Sequence, residues 1–499
     1  MPGPLRPQDH TRRWLEQPRA DDHTAVDDTK PSLSSNNGGI LYCPSQMDCY
    51  ARTSKRAMRQ SPLLLFIEDT RTLISVLPYL PHTVLPFKTS NSHAELYLNL
   101  TSALSMVAQS WLFILEVFML LLAVPALLVL PFSIFVLVAA IPCTCVYIIA
   151  WPFQGPRVCY STMDNETTAR ADQCSSERWL FVNGCATDHS ILQKNIDRLS
   201  KTFGRVVIGI HNKTYGLPAD ILECLIQRCL YFKSMDVRVA YAHIKSFVVD
   251  PSVTKVVLIG HSQGGIIISL ALDQLFSELS TEMMSKLEVY TFGSAASHFS
   301  NPLRSLTATF DRESVPPPKI HFEESVPAVQ NVIQHIEHYA NELDMIPRWG
   351  VLHCVREILE NRYAGSVFVR IGASGHFLNQ HYLDPMFPLH SPQLPGTLPL
   401  LIDTFLDKIV QNDETLATKR EAFGLGNPSV AQNPPTNGEK SHQVLIFSRT
   451  SSGIVVGKAT KGRTVRELSR LWKYQDGRTP DENRDEDEIL MRSDEVRDE

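Results

Sequence analysis

Residues 103–151 form an apolar segment that contains no lysine or arginine and a single acid, Glu116. One membrane crossing by a helix needs about 20 apolar residues, so the segment is long enough for two crossings. Proline disfavours helix at the residue before it, and Pro125 and Pro131 therefore predict a tight turn near the middle. Buried helices of soluble proteins rarely stay uncharged over such a length. The segment thus predicts a transmembrane or re-entrant helical hairpin.

A hairpin leaves both of its flanks on one side of the membrane, whether it crosses twice or re-enters one leaflet. Basic residues beside a span favour the cytosol. The flank from residue 52 to residue 102 carries six of them: Arg52, Lys55, Arg56, Arg59, Arg71 and Lys88. We therefore predict an integral protein of an endomembrane, such as the endoplasmic reticulum or a lipid-droplet surface, with both flanks in the cytosol. Glu116 is expected either to mark a polar pathway or to lie protonated near the interior of the hairpin.

The rest of the chain divides by composition. Residues 1–61 are rich in Pro, Asp, Ser, Asn and Arg, which predicts a disordered arm. Residues 62–102 form a juxtamembrane segment that packs on the next domain or lies at the membrane surface. Residues 152–410 form the main domain. Residues 411–499 are expected to be a polar, largely disordered acidic tail, within which residues 442–460 can form a hairpin.

Apolar runs of strand length alternate with amphipathic stretches of helix length in the main domain. Glycine bounds the runs, which read WLFVNG, RVVIGI, KVVLIG, KLEVYTFG and SVFVRIG. Near-continuous apolar strands that alternate with helices are typical of a mostly parallel sheet covered by helices on both faces. We predict an α/β fold of this kind.

The stretch from Gly260 to Gly264 reads GHSQG and fits the pattern G-x-S-x-G. A buried strand, VVLI, precedes it and a helical run, IIISLALDQL, follows it. In such a strand–turn–helix the serine is held in strained backbone geometry with its hydroxyl above the sheet, and the glycines leave room for the backbone. Ser262 is therefore a candidate nucleophile. The alternative is a glycine-rich turn with an idle serine.

A serine hydroxyl is a poor nucleophile unless a base takes its proton. In this kind of fold an acid and then a histidine follow the serine along the chain. The acid is expected at the end of a downstream strand, and Asp344 is placed there by HIEHYANELDMIPR. Glu342 is the nearby rival, and Asp384 is the more distant alternative.

The base is expected in the loop after the last strand, SVFVRIG. His376 lies in that loop in a Ser-Gly-His setting, and His381 is the alternative base. His335 and His338 belong to the preceding strand region and are expected to be wall residues, because no third residue suggests a metal site. We predict neither a metal nor an organic cofactor.

An oxyanion that develops at the substrate carbonyl needs hydrogen-bond donors. One is expected to be the backbone N–H of Gln263, directly after the nucleophile, and the second an N–H from the loop after an earlier strand. The stretch WLFVNGCATDHS places Cys185 and Ala186 in such a loop. Cys185 as a second nucleophile is disfavoured, since nothing near it in sequence lowers the pKa of its thiol.

Several of these segments resemble known families. GHSQGGIIISLALDQL, KLEVYTFGSAA and ANELDMIPR resemble the nucleophile segment, the following strand and the acid-bearing segment of class 3 (triacylglycerol) lipases. WLFVNGCATDHSILQKNIDRLSKTFGRVVIGIHNKTYG is more similar to uncharacterised membrane-associated serine esterases. The resemblance implies an α/β-hydrolase fold and acyl-ester hydrolysis. It also implies the nucleophile role for Ser262 and the acid role for Asp344.

Three functions remain open at this point. The first is a membrane-anchored serine hydrolase, lipase- or esterase-like, that cleaves acyl esters of lipids through an acyl-enzyme. The second is an acyl-protein thioesterase or a transacylase, which uses the same acyl-enzyme. The third is an inactive membrane scaffold with a hydrolase fold. The formal net charge of -6 and the lack of a basic stripe with interleaved aromatics argue against a nucleic-acid partner.

The cytosolic placement predicts that the three N-x-T sequons, at Asn99, Asn165 and Asn212, carry no glycan. The measurement is the electrophoretic mobility of the expressed full-length protein before and after treatment with a glycosidase. We expect identical mobilities. A shift on treatment would place the main domain in the lumen.

Overall fold

A computed structural model of the chain describes eleven ranges of residues: 39–45, 61–86, 94–97, 99–162, 176–304, 330–358, 363–389, 405–412, 445–450, 453–458 and 463–480. The predicted disorder of the arm before residue 39 and of the acidic end after residue 480 lies outside the described residues.

A nine-stranded sheet with the order β11-β1-β10-β9-β6-β5-β3-β4-β2 forms the centre of the fold. Two separate pairs, β7 with β8 and β12 with β13, are antiparallel. The strands are β1 Ile40–Cys43, β2 Val158–Tyr160, β3 Glu177–Val182, β4 Val207–Ile210, β5 Lys255–His261, β6 Leu287–Phe292, β7 Leu303–Arg304, β8 Gln330–Asn331, β9 His335–Asn341, β10 Ser366–Arg370, β11 Val410–Asn412, β12 Leu445–Thr450 and β13 Gly453–Lys458.

The strands β4, β3, β5, β6, β9 and β10 all run parallel to their neighbours within this central set. Antiparallel strands flank the set, with β2 beside β4 and β1 beside β10. The carboxyl ends of the parallel strands therefore share one edge of the sheet. In an open sheet of this kind that edge is where ligands bind.

Helices cover the sheet and extend from it. They are α1 Pro62–Val76, α2 Leu80–Val84, α3 Leu100–Val129, α4 Phe132–Ala150, α5 His189–Phe203, α6 Leu217–Leu230, α7 Met235–Val249, α8 Gln263–Glu278, α9 Thr281–Met284, α10 Met345–Trp349, α11 Val351–Arg356, α12 Asp384–Met386 and α13 Val465–Leu468. Short 3-10 turns and a π-helical turn, Leu378–Leu383, complete the described elements.

Successive residues of β5 point to opposite faces of the sheet, because side chains alternate along a strand. Val256 and Leu258 join one buried apolar cluster, to which α6, α7 and α8 contribute. Val257 and Ile259 join a second cluster, to which α5 contributes. Helices thus lie on both faces of a mostly parallel sheet, and the predicted α/β class is confirmed.

Strand β1 contradicts part of the prediction that residues 1–61 form a disordered arm. Residues Ile40–Cys43 pair with β10 on one side and with β11 on the other. Ile40 and Cys43 are at most 1% exposed. A four-residue apolar run inside a polar stretch gives too little periodicity to be read as a strand, so its partner strands decide its conformation.

The predicted tail of residues 411–499 is also corrected. Residues 463–480 pack against the sheet, where the Arg470 guanidinium lies 3.0 Å from a Glu288 oxygen and the Tyr474 hydroxyl donates to Glu288 at 2.8 Å. The side chain of Tyr474 is fully buried. Strands β12 and β13 form a hairpin within residues 442–460.

The juxtamembrane segment packs on the main domain, which was one of its two predicted placements. Asp69 of α1 forms an ion pair of 2.7 Å with the buried Arg228 of α6 and accepts a hydrogen bond of 3.0 Å from the Trp349 indole. The outward face of the same segment carries exposed leucines, among them Leu63 and Leu77.

Two antiparallel helices, α3 and α4, account for the apolar segment. Helix α3 continues through Pro125 and ends at Val129, so the turn consists of Leu130 and Pro131 rather than the whole stretch between the prolines. By length and composition both helices can cross a membrane. Their packed base contains Leu112, Val146 and Ala150, whereas their outer faces are exposed and apolar.

Candidate active site

Ser262 occupies the turn between β5 and α8 with backbone angles φ 56° and ψ -120°. Positive φ is uncommon for a residue with a Cβ atom, and the neighbouring structure holds it there. The Ser262 N–H donates to the Phe292 carbonyl at 3.1 Å, and the Ser262 carbonyl accepts from the N–H groups of Gly265 and Ala295 at 3.1 Å. This geometry is the one that G-x-S-x-G predicts for a nucleophile.

Close packing around the turn excludes side chains at the positions of two glycines. A Cβ atom on Gly264 would overlap the Val182 carbonyl of the neighbouring strand. A Cβ atom on Gly184 would overlap the Ser262 Cβ and would lie 3.0 Å from its Oγ. Gly260, the other glycine of the motif, is buried near the end of β5. The turn is therefore pressed against the loop that follows β3.

Asp344 is the N-cap residue of helix α10, shortly after the end of β9, and is fully buried. One carboxylate oxygen, Oδ1, accepts from the Ile346 N–H at 3.1 Å. The other, Oδ2, accepts from the Tyr382 hydroxyl at 2.8 Å and lies 2.6 Å from Nδ1 of His376. A carboxylate only accepts hydrogen bonds, so Nδ1 of His376 is the donor, and the neutral form of this imidazole has its lone pair on Nε2.

His376 lies in the loop after β10, and several contacts fix its position. Its backbone N–H donates to the Thr83 carbonyl at 2.8 Å, and its carbonyl lies 2.7 Å from Nε2 of His261. The rings of His261 and His376 have centroids 4.6 Å apart. Nε2 of His376 is buried and forms no hydrogen bond with any residue that the structure describes, so the Ser262 hydroxyl is not bonded to it here.

His381, the alternative base, uses both ring nitrogens elsewhere. Its Nδ1 accepts from the Phe377 N–H at 3.0 Å, and its Nε2 lies 3.0 Å from the Pro86 carbonyl. The residue is buried within the π-helical turn, and burial lowers the pKa of its imidazole. The structure therefore pairs Asp344 with His376 and leaves His381 in a loop-supporting position.

The rival acids lie apart from this pair. Glu342 accepts from the Gly372 N–H at 2.8 Å, and Asp384 forms an ion pair of 3.0 Å with Arg198. His338 lies 2.7 Å from the Thr291 hydroxyl and is buried, which lowers the pKa of its imidazole to about 4. No cluster of three or more metal-ligating side chains occurs in the part of the chain that the structure describes.

The loop after β3 carries the two alternatives for the second oxyanion donor, the N–H groups of Cys185 and Ala186, and the structure distinguishes them. The Ala186 N–H donates to Asp220 Oδ2 at 2.8 Å, so it is engaged and cannot serve an oxyanion at the same time. The Cys185 N–H has no acceptor among the described residues. Together with the Gln263 N–H, a free donor in the first turn of α8, it forms the candidate oxyanion site beside Ser262.

The Cys185 thiol is unsuited to be a nucleophile. Its Sγ lies 3.5 Å from Sγ of Cys224, and the hydrogen bond between them, together with burial, raises the pKa of Cys185 well above its usual value. A thiolate at this position is therefore disfavoured. The side chain of Gln263, which accepts from Asn212 at 2.7 Å, is likewise committed to the buried network under the loop.

Two residues that contact Asp344 or His376 are not predicted from the sequence. Tyr382 donates to the candidate acid Asp344, and the ring of His261, the residue before Ser262, lies tilted by 34° against the ring of His376. Burial lowers the pKa of His261 well below its usual value, so this ring is neutral and adds no positive charge beside His376. The position of His261 in GHSQG was visible in the sequence, whereas nothing in the sequence links Tyr382 to Asp344.

Comparisons with known proteins leave the family open. No protein-family model matches the sequence. No curated protein matches it either. A solved structure of Trichoderma reesei cutinase, in complex with a C11Y4 phosphonate inhibitor, is similar over 36% of this chain and 74% of the cutinase chain, with 18% identity and a TM-score of 0.20. At that TM-score the likeness carries no argument on fold or function.

The pairing of His376 with Asp344 predicts unequal effects of two alanine substitutions. If His376 is a general base, His376→Ala should lower kcat by several orders of magnitude, as removal of the base does in enzymes with a Ser-His-Asp triad. His381→Ala should lower the melting temperature and reduce kcat by less than about tenfold, because it removes loop contacts only. Ester turnover and thermal melting of the two purified variants test this. The reverse order in kcat would make His381 the base.

Proposed function

We propose that the chain is a serine hydrolase of the α/β-hydrolase type, held at a membrane, that cleaves acyl esters of lipids. One observation carries the proposal. A serine with positive φ stands at the same sheet edge as a histidine whose Nδ1 lies 2.6 Å from a buried carboxylate. The order Ser262, Asp344, His376 along the chain is the order that this class of hydrolase uses.

The proposed reaction begins when the Ser262 hydroxyl attacks the ester carbonyl and its proton passes to Nε2 of His376. Asp344 orients the imidazole and stabilises the imidazolium that forms. Return of the proton to the departing alcohol leaves an acyl-enzyme. Water then attacks the acyl group with His376 as base, which releases the fatty acid and restores Ser262.

Charge on the carbonyl oxygen in the tetrahedral intermediate requires donors that are fixed before the reaction. The backbone N–H groups of Gln263 and Cys185 are the proposed pair. Gly184 brings the second group close to the nucleophile, because a Cβ atom at this position would overlap Ser262. Loss of one such donor typically costs about 10²–10³ in kcat.

The hairpin of α3 and α4 is the proposed membrane anchor, and the chemistry of its turn favours re-entry into one leaflet. No polar side chain occurs from Val117 to Phe132. The residues beside the turn are also among the most exposed, with Leu128 at 81%, Val129 at 80% and Phe132 at 73%. A turn that crossed into water would expose these side chains at a cost of about 1.5–3 kcal/mol each.

The length of the hairpin beyond the main domain also favours re-entry into one leaflet. Glu116 contacts the main domain, so the free part of α3 runs from Val117 to Val129. At about 1.5 Å per residue this part is about 20 Å long. The hydrocarbon core of a bilayer is about 30 Å thick. The proposed anchor therefore ends inside the membrane, and the main domain stays on the cytosolic surface, where ester substrates dissolved in the leaflet are accessible.

Covalent labelling tests the enzymatic proposal. A fluorophosphonate probe should label the full-length protein and should not label Ser262→Ala, because the probe reacts with an activated serine. Lipid profiles of cells that carry the wild type or Ser262→Ala should then differ in an acyl ester that accumulates with the variant.

Ser294→Ala is a matched control for labelling, because Ser294 is another buried serine that follows a parallel strand, β6. It should keep the label. Failure of the wild type to label would favour the inactive scaffold. A thioester or a protein-bound acyl group that accumulates in place of a lipid ester would favour the thioesterase or transacylase.

The proposed topology predicts the accessibility of the hairpin turn. In Leu130→Cys, a membrane-impermeant maleimide should fail to reach residue 130 from either side of intact membranes and should react after detergent is added. Ser277→Cys, on the exposed surface of α8, should react from the cytosolic side and serves as the control. Mass spectrometry of the peptides reads each site separately. Labelling of residue 130 from the lumen would establish two crossings instead.

A further inference from the structure

Helix α3 meets the main domain through a stripe of polar side chains. Ser102, Ser105 and Glu116 are 3–5% exposed, whereas Leu104 and Trp111 on the other side of the helix are 56% and 63% exposed. Polar and charged side chains in an apolar helix are costly, and they persist where they have a function. Neither environment predicted for Glu116, a polar pathway or the interior of the hairpin, is the one found. Its carboxylate faces the main domain.

Glu116 binds the first turn of helix α6. Its Oε2 accepts from the Ala219 N–H at 3.1 Å, and its Oε1 lies against Gly216, where a Cβ atom would overlap it. The first N–H groups of a helix have no partner within the helix and carry partial positive charge. The carboxylate of Glu116 therefore fixes the position of the N-terminus of α6 relative to α3.

The residue after Ala219, Asp220, forms a hydrogen bond with the loop that carries the candidate oxyanion donors. Asp220, which is 2% exposed, accepts from the Ala186 N–H at 2.8 Å and from the Tyr215 N–H at 3.2 Å. Ala186 has a φ of 50°, a conformation that a residue with a Cβ atom adopts at a cost. The hydrogen bond to Asp220 thus stabilises the bend beside Cys185, whose N–H is the proposed second oxyanion donor.

A second contact of α3 reaches the other end of the same loop. The Ser105 hydroxyl donates to Oδ2 of Asp188. Asp188 begins helix α5, and its Oδ1 accepts from the Ile191 N–H at 2.8 Å. Lys194 of α5 also donates to the Ser102 hydroxyl at 3.0 Å. Helix α3 therefore contacts both α5, which directly follows residues 183–188, and α6, whose Asp220 accepts from Ala186 within them.

We infer that α3 positions the oxyanion loop of the hydrolase and that Glu116 and Ser105 are positioning residues for catalysis. The inference rests on the proposed function, because it concerns the donors of that same site. The chain of contacts runs from Glu116 through the first turn of α6 and Asp220 to Ala186, with Ser105 and Asp188 as a second support. The membrane hairpin is then a part of the catalytic site as well as its anchor.

Substitution of Glu116 tests the inference. Glu116→Leu should lower kcat by about tenfold with little change in KM, since the loop loses support but keeps its donors, whose complete loss costs more. Glu116→Gln retains an acceptor oxygen for the Ala219 N–H and should stay within about threefold of the wild type. The affinity for a trifluoromethyl ketone, whose adduct with Ser262 carries the oxyanion, should fall by the same factor as kcat/KM.

A pair of serine variants on α3 provides the matched control. Ser105→Ala should lower kcat in the same way, whereas Ser110→Ala should not. Among the residues that the structure describes, the Ser110 hydroxyl donates to the Met106 carbonyl of its own helix alone, at 2.8 Å. If Glu116→Leu fails to show a cooperative melting transition, the serine pair decides the question.

The outcomes separate the inference from the proposed function. An active wild type with Glu116→Leu and Ser105→Ala both within twofold of its kcat overturns the inference and leaves the hydrolase proposal standing. An equal loss for Ser105→Ala and Ser110→Ala also overturns it, because the effect would then lie in α3 as a whole. A wild type that neither turns over esters nor reacts with a fluorophosphonate overturns both.

Discussion

The positive φ of Ser262 is the constraint on which the rest of the site depends. Such a conformation costs of order 1–3 kcal/mol and persists only where the surrounding structure over-determines it. Here β6 accepts the Ser262 N–H, the first turn of α8 begins immediately after it, and Gly264 lies against β3. Three neighbouring strands, β5, β6 and β3, therefore hold Ser262 in this conformation. The packing of the two apolar clusters, one on each face of the sheet, offsets the free-energy cost of that conformation.

Much of this arrangement could be predicted because its determinants are local. Strand-length apolar runs such as KVVLIG are closed by glycine, and a strand, an elbow and a helix follow one another within a single stretch of sequence. The position of Asp344 after β9 follows from the same logic, since parallel strands end at one edge. The sequence left His376 and His381 open. Their hydrogen bonds distinguish them. His376 is bonded to Asp344, whereas the ring of His381 is bonded to the backbone of Phe377 and Pro86.

The features that could not be predicted depend on contacts between distant parts of the chain. Tyr382 reaches Asp344 across 38 residues, and Glu116 reaches Ala219 across 103 residues. Ala186 was an open candidate for the oxyanion because only the fold brings Asp220 to its N–H. In the same way Arg470 and Tyr474, in a stretch with a polar composition, are ordered by the buried carboxylate of Glu288. The composition of a segment indicates how the segment behaves alone in water, and it does not identify the distant residues that bind the segment in the fold.

The placement of β1 has a consequence for the integrity of the sheet. This strand precedes the hairpin in sequence, yet it lies between β10 and β11 and saturates the outer rim of β10. A fragment that starts after α4 would retain Ser262, Asp344 and His376 but would leave the backbone amides and carbonyls of β10 open to any other extended chain. Self-association through that rim is then the expected behaviour of the fragment, even though it keeps Ser262, Asp344 and His376.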